Sequence, residues 1–203
     1  MKISLLDYGA CNIESVKSAF YSLGVDNKLI SKPEEIKNSE KIVIPGVGAA
    51  KTSIDNLKSN NLFQPLKEYI NAGKPILGIC LGFQLFANKL YENGLSNGFE
   101  FLDAEVVSFS NNKKKFHIGW NTININENLE KFFKIKSESS FYFCHSYYLK
   151  LKNDKNLFFG KTKFLTNFPS IIVKNNIMGV QFHPEKSQSN GIKILEKFIN
   201  WKP

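Results

Sequence analysis

Three short segments carry residue types whose spacing suits covalent catalysis. Gly78-Ile79-Cys80-Leu81-Gly82 places a cysteine between two glycines where an apolar run passes into a stretch of helical spacing. A nucleophile on a tight strand-to-helix turn needs small neighbours on both sides, and the amides of a helix N-terminus favour thiolate over thiol. Read alone, Cys80 could equally be a small buried hydrophobe, the usual fate of a free cysteine. Gln181-Phe182-His183-Pro184-Glu185 ends a second apolar run. Pro184 biases His183 to extended backbone, so His183 and Glu185, two apart, can project to one side as a base and its orienting carboxylate. The plain alternative is a surface His–Glu pair. Pro45-Gly46-Val47-Gly48 closes a third apolar run. Glycines on either side of Val47 let backbone N–H groups turn inward, as an oxyanion hole requires. The segment has neither Walker nor GxGxxG spacing and is not read as a phosphate cradle.

The elements that must hold these residues alternate. Lys2 to Leu6 reads as a buried strand, and Ile13, Val16, Ala19, Phe20 and Leu23 share one helix face before Gly24 stops it. Asn27 to Ile30 and Lys41 to Ile44 read as strands, Pro65 to Ala72 as a helix, Pro75 to Cys80 as a strand and Leu81 to Tyr91 as a helix. Beyond Glu105 the pattern turns to short β-rich pieces: 105–109, 121–125, 141–144, 147–151, 170–174 and 177–182, before a last helix over 192–201. The expected fold is a single α/β domain over residues 1–203. Its mixed, largely parallel sheet is flanked by helices, and its C-terminal half is strand-rich.

Composition narrows the function classes. The chain of 203 residues is 42% apolar with 27 aromatic rings, ample for one core, and Gly and Pro are too few for a low-complexity chain. No apolar run reaches membrane-helix length and the N-terminus lacks a secretory pattern, so a cytoplasmic protein is expected. The net charge of +9 comes entirely from lysines, without one arginine, and they are scattered apart from Lys113 to Lys115. Nucleic-acid recognition leans on the guanidinium fork, so this charge reads as compositional. Cys11, Cys80 and Cys144 are odd in number and carry no ligand spacing, which supports neither a disulfide framework nor a zinc site. Cys11 reads as structural and Cys144, in Phe141-Tyr142-Phe143-Cys144, as core. His117 and His145 have no metal spacing with each other or with His183.

Taken together, PGVG, GICLGFQ and QFHPEKS, in this order, resemble the triad-type (class I) glutamine amidotransferases. The opening DYGACNIESV, the internal HIGWN and FYFCHSYY and the tail GVQFHPEKSQSNG extend the resemblance over nearly the whole chain, toward the glutaminase subunits of imidazole glycerol phosphate synthases. The resemblance implies a Cys80 nucleophile, a His183 base and a Glu185 orienter. It implies an oxyanion hole from the N–H of Leu81 and a peptide within Gly46, Val47 and Gly48. Gly82, Gln84 and the backbone of Ser146 and Tyr147 would position glutamine, and Asn12, Trp120, Tyr142 and Lys186 would face a partner. That partner would be a cyclase subunit of (βα)₈-barrel fold, receiving ammonia through a channel; no cofactor or metal is implied. Two departures from the family pattern are Ala50, where a bulky residue is usual, and Phe159, where a tyrosine is usual. A paralogous glutaminase serving sugar-nucleotide amidation and a free-standing cysteine hydrolase stay open at this point.

Overall fold

Strand and helix alternate through the first 80 residues of the computed structural model, which describes residues 2–9, 12–109, 115–155 and 157–203. The order is β1 (Ile3–Leu6), α1 (Ile13–Ser22), β2 (Asn27–Ile30), α2 (Pro33–Lys37), β3 (Lys41–Ile44), α3 (Ala50–Ser59), α4 (Phe63–Asn71) and β4 (Ile76–Ile79). A single helical turn, α5 (Leu81–Gln84), leads into β5 (Ala87–Leu90), β6 (Ser96–Asn97), β7 (Leu102–Ser108) and β8 (His117–Thr122). Then come α6 (Glu127–Phe133), β9 (Ser140–His145), β10 (Tyr147–Leu151), β11 (Phe158–Phe164), β12 (Thr166–Lys174) and β13 (Ile177–Val180). A 3₁₀ turn over Pro184–Lys186 and α7 (Gln188–Asn200) complete the described chain.

The main sheet has seven strands in the order β11-β12-β13-β4-β3-β1-β2. From β13 to β2 neighbours are parallel, whereas β12 and β11 extend the β13 edge antiparallel. Strands covered on both faces can be apolar throughout, and β1, β3, β4 and β13 are buried at every position. Their side chains alternate between two cores. Leu6, Ile42 and Ile44 join Ile54, Leu66 and Ile70 of α3 and α4, while Ile3, Leu5 and Val43 join Val16 and Phe20 of α1 and Ile194 and Phe198 of α7. The amine of Lys41, at the start of β3, donates to the carbonyls of Phe198, Ile199 and Trp201 and so caps the end of α7.

The structure corrects the sequence reading in four places. Among the described residues the strands form not one sheet but three, the others being β10-β7-β5-β6 and the antiparallel pair β8-β9. The helix expected over 81–91 stops after one turn. The N–H groups of Phe99, Phe101 and Glu100 take the carbonyls of Leu85, Phe86 and Ala87, which a continuing helix would have used. The strand expected over 121–125 lies earlier, at β8, and β11, α2 and α6 were not expected at all. Cys144 is exposed rather than core, because on β9 it alternates with the inward Phe143 and His145. Cys11 and the Lys113–Lys114 part of the lysine triplet lie outside the described residues.

Candidate active site

The carboxyl ends of three adjacent parallel strands deliver the three segments to one place. β3 runs into Pro45, β4 into Cys80 and β13 into Gln181, with Val43 beside Leu77 and Val180 beside Ile79 in the pairing register. Open parallel sheets gather their sites along such an edge. Cys80 has φ 53° and ψ −104°, outside the comfortable regions for a side-chain-bearing residue. The glycines around it leave no room for anything larger. A Cβ on Gly82 would lie 1.9 Å from the carbonyl oxygen of Ile44, and one on Gly78 would meet Phe86 at 2.6 Å. The small-neighbour requirement read from the sequence is thus a matter of contact between the ends of β3, β4 and α5.

His183 and Glu185 meet as expected: Nδ1 donates to Oε1 at 2.8 Å, and the two side chains are 3% and 1% exposed. With the carboxylate on Nδ1, Nε2 is the nitrogen free to exchange a proton. It is buried and makes no well-formed hydrogen bond, but feels the Cys80 sulfur as charge and as a weak bonding partner. Burial opposes protonation of His183; the charge and contact of Cys80, then the bond and charge of Glu185, outweigh it and push the imidazole up to about 10. The segment is pinned from outside. The His183 N–H donates to the carbonyl of Tyr142 at 2.9 Å, the Ser187 hydroxyl donates to the His183 carbonyl at 2.6 Å, and that hydroxyl accepts the N–H of Tyr142 at 3.0 Å. Gly191 lets α7 approach, since a Cβ there would fall 1.9 Å from the Pro184 carbonyl oxygen.

The Gly46–Gly48 turn lies against the elbow. A Cβ on Gly46 would meet the Tyr8 hydroxyl at 2.6 Å and Leu81 Cβ at 2.8 Å, and the buried Tyr8 hydroxyl donates to the Pro45 carbonyl at 2.8 Å. The N–H of Leu81 donates to the carbonyl of Gly46 at 3.4 Å, so it already has a long hydrogen bond inside the turn. Gly48, at φ 122°, is in a conformation that suits glycine. Ala50 follows at the first turn of α3, buried, its N–H donating to the Glu92 carboxylate at 2.8 Å.

On the other side of the sulfur, Gln84 donates from Nε2 to the Tyr147 carbonyl at 2.8 Å and to Gln181 Oε1 at 3.0 Å. Gln181 in turn donates to Cys80 Sγ at 3.6 Å. Sequence reasoning gave Gln181 no role, although its place two residues before His183 on an extended segment was a usable signal. It also missed Glu92 and Tyr8, which no local pattern ties to the elbow. The Ser146 carbonyl accepts the N–H of Phe109 at 3.4 Å.

Trp120, Tyr142 and Lys186 also come together. Trp120 is 50% exposed and meets the Tyr142 ring edge-on at 6.2 Å, and the Lys186 amine lies 5.9 Å from the centre of that ring. Asn12 opens α1, which packs on the Pro184–Lys186 turn, and its side chain accepts from Ser15. Phe159, the other departure, stacks under the Lys161 amine at 5.1 Å on β11. Among the described residues no cluster of three or more His, Cys, Asp and Glu is arranged to hold a metal, and no helix is long and apolar enough to cross a membrane.

Known proteins give the same picture. Residues 4–201 match the family model of glutamine amidotransferase class-I. The chain is 40% identical to imidazole glycerol phosphate synthase subunit HisH 1 of Campylobacter jejuni, over 97% of this chain and 98% of that one. It is 39% identical to the HisH subunit of Caldanaerobacter subterraneus subsp. tengcongensis, over 97% and 96%. Among solved structures, a chain of PurLQS from Thermotoga maritima superposes with a TM-score of 0.74 at 16% identity, covering 98% of this chain and 97% of its own, a likeness of fold. Full-length similarity and an elbow, histidine and glycine turn gathered at one sheet edge lead to one conclusion: the chain belongs to the class-I glutamine amidotransferases, among the HisH subunits of imidazole glycerol phosphate synthase.

Proposed function

We propose that the protein is the cytoplasmic glutaminase subunit of an imidazole glycerol phosphate synthase. It hydrolyses glutamine on Cys80 and passes the ammonia to a cyclase subunit of (βα)₈-barrel fold, the whole chain serving as one glutaminase domain. The observation that carries this reading is that Cys80 follows β4 and the His183–Glu185 pair follows the neighbouring parallel strand β13, close enough for Cys80 to act on the His183 ring.

His183, which holds a proton on Nε2 well above neutral pH, takes that proton from the Cys80 thiol before substrate reacts, and the thiolate so formed attacks the side-chain amide carbon of glutamine. The oxyanion so formed needs donors, and the N–H of Leu81 with a peptide of Gly46–Gly48 supplies them once the Gly46 carbonyl turns away. Collapse returns the proton from Nε2 to the departing nitrogen as ammonia and leaves a γ-glutamyl thioester. Water attacks the thioester, its proton goes to Nε2 and then to sulfur, and glutamate leaves. Glu185 keeps the proton-exchanging nitrogen pointed at sulfur throughout. Gln84, Gly82 and the backbone of Ser146 and Tyr147 hold the substrate.

The outward face of β8-β9 supports a docking role. Ile118 and Trp120 are 61% and 50% exposed, with Tyr142 and Cys144 opposite them on β9. Apolar groups left in water on a paired ribbon, with Lys186 beside them, suit a partner that brings apolar surface and a carboxylate. Protected transfer has a plain motive, since ammonia released into neutral water is protonated and loses its lone pair. The deciding experiment combines the protein with the cyclase subunit of the same genome and follows glutamate release and glutamine-dependent product. Absence of both in the assembled complex refutes the proposal.

A further inference from the structure

Two buried histidines play no part in the chemistry above. His117 on β8 and His145 on β9 face each other across the strand pair, His117 Nδ1 lying 2.9 Å from His145 Nε2. His145 Nδ1 is 2.8 Å from the Tyr147 carbonyl, which can only accept, so that nitrogen carries the proton and Nε2 is an acceptor. His117 Nδ1 must then donate, leaving its own Nε2 to accept from the Asn121 amide at 3.0 Å. The second hydrogen of that amide goes to the Lys163 carbonyl at 3.1 Å. Each tautomer is fixed by its neighbour. Both rings are neutral, since burial pushes His117 down to about 4 and His145 to about 3.

The chain of bonds continues past Tyr147. Its carbonyl takes a second hydrogen bond from Gln84, Gln84 bonds Gln181, and Gln181 reaches the Cys80 sulfur. Stacking leaves the rings little freedom: His117 lies between Phe143 at 4.5 Å and Phe164 at 4.3 Å, and His145 lies against Phe109 and Phe168. An aromatic cluster of this kind needs no imidazole for packing, and every polar atom placed in it must be matched by another.

We propose that His145, backed by His117, is a positioning residue of the glutaminase: it fixes the Tyr147 carbonyl and through it the Gln84 and Gln181 amides that hold substrate and sulfur. The proposal rests on the glutaminase reading. It predicts a loss confined to glutamine use. In the complex with the cyclase subunit, His145→Phe keeps a ring of similar size but removes both of its hydrogen bonds. By the cost of leaving a buried carbonyl under-bonded, it should lower kcat/KM for glutamine by about tenfold or more, with KM raised, while ammonium-dependent turnover is unchanged. His145→Asn, whose amide nitrogen can take the place of Nδ1, should recover most of the loss, and His117→Phe should show a smaller loss of the same kind.

Wild-type kcat and KM in His145→Phe, or an Asn variant no better than the Phe variant, would overturn the proposal. Should His145→Phe fail to fold, ¹⁵N spectra of the wild-type complex decide. Both rings should be neutral with the proton on Nδ1, and the His145 signals should move when 6-diazo-5-oxo-L-norleucine alkylates Cys80; signals that stay in place overturn it. A wild-type complex that makes product from ammonium but not from glutamine removes the glutaminase reading and this proposal with it, whereas an active wild type with an indifferent His145→Phe removes this proposal alone.

Discussion

At the scale of single residues, the strained backbone of Cys80 and the buried His183–Glu185 pair make two separable predictions. Cys80→Ala in the complex should abolish glutamate release and leave ammonium-dependent product formation intact, because the proposed function puts acceptor chemistry on the other subunit. Glutamate release at a wild-type rate would take Cys80 out of the mechanism. Glu185→Gln should be milder than His183→Ala, since it loosens the base without removing it. His183 also carries a stability signature. Its folded pKa, about 10, stands above the ordinary histidine value of 6.5, so its contribution is fully present below about 6.5 and is lost as pH rises toward 10. The stability difference between wild type and His183→Gln, measured by denaturant titration from pH 6 to 10, should shrink as pH rises. Parallel curves would mean that neither Cys80 nor Glu185 holds the proton on His183.

At the scale of elements, the elbow works because β3, β4 and α5 touch. Gly82→Ala would drive a methyl group into the Ile44 carbonyl, and overpacking of that kind typically costs about 1–3 kcal/mol. The variant should unfold at lower denaturant and lose glutamine hydrolysis to a greater degree than stability alone explains; unchanged kinetics would show that the elbow tolerates displacement. The same contacts explain what the sequence could and could not reveal. The parallel strands were legible because residues such as Ile42, Val43 and Ile44 are buried on both faces and leave an unbroken apolar run. Two missed helices had readable starts. Pro33 stands in the first turn of α2 with Glu35 reaching back to the Ser31 and Lys32 N–H groups, and Asn126 caps the Leu129 N–H of α6. The false helix over 81–91 was not avoidable from periodicity, since Phe83, Phe86 and Leu90 do share a helical face. What ends it is a segment 14 residues downstream that takes its carbonyls, a tertiary contact with no local mark. The elbow and the His183–Glu185 pair were legible as motifs, but Gln181 and the two histidines gain meaning only from strands that the chain brings together.

At the scale of the whole molecule, the surface and the site share a strand. Tyr142 turns its ring outward toward Trp120 and Lys186, while its carbonyl and N–H bond His183 and Ser187 behind it. A partner pressing on that face would therefore bear on the backbone that carries His183. On the proposed mechanism the lone subunit would be incomplete for catalysis, because the Leu81 N–H is taken up by the Gly46 carbonyl. The expectation is a subunit nearly idle by itself and switched on when the cyclase, with its acceptor, docks and the Gly46–Gly48 peptides turn. Trp120→Ala should weaken binding to the cyclase by the ~2 kcal/mol or more typical of an aromatic anchor, roughly a thirtyfold rise in Kd. Lys186→Ala should instead reduce the stimulation of glutamine turnover by acceptor more than it changes glutamine KM, since its charge acts across the interface rather than on substrate. Titration of wild type and both variants with the cyclase, read as binding and as glutamate release at each point, separates these effects. Full glutaminase activity in the lone subunit would mean that the Gly46 carbonyl does not guard the oxyanion site, and that the outward face of β8-β9 has no part in switching it on.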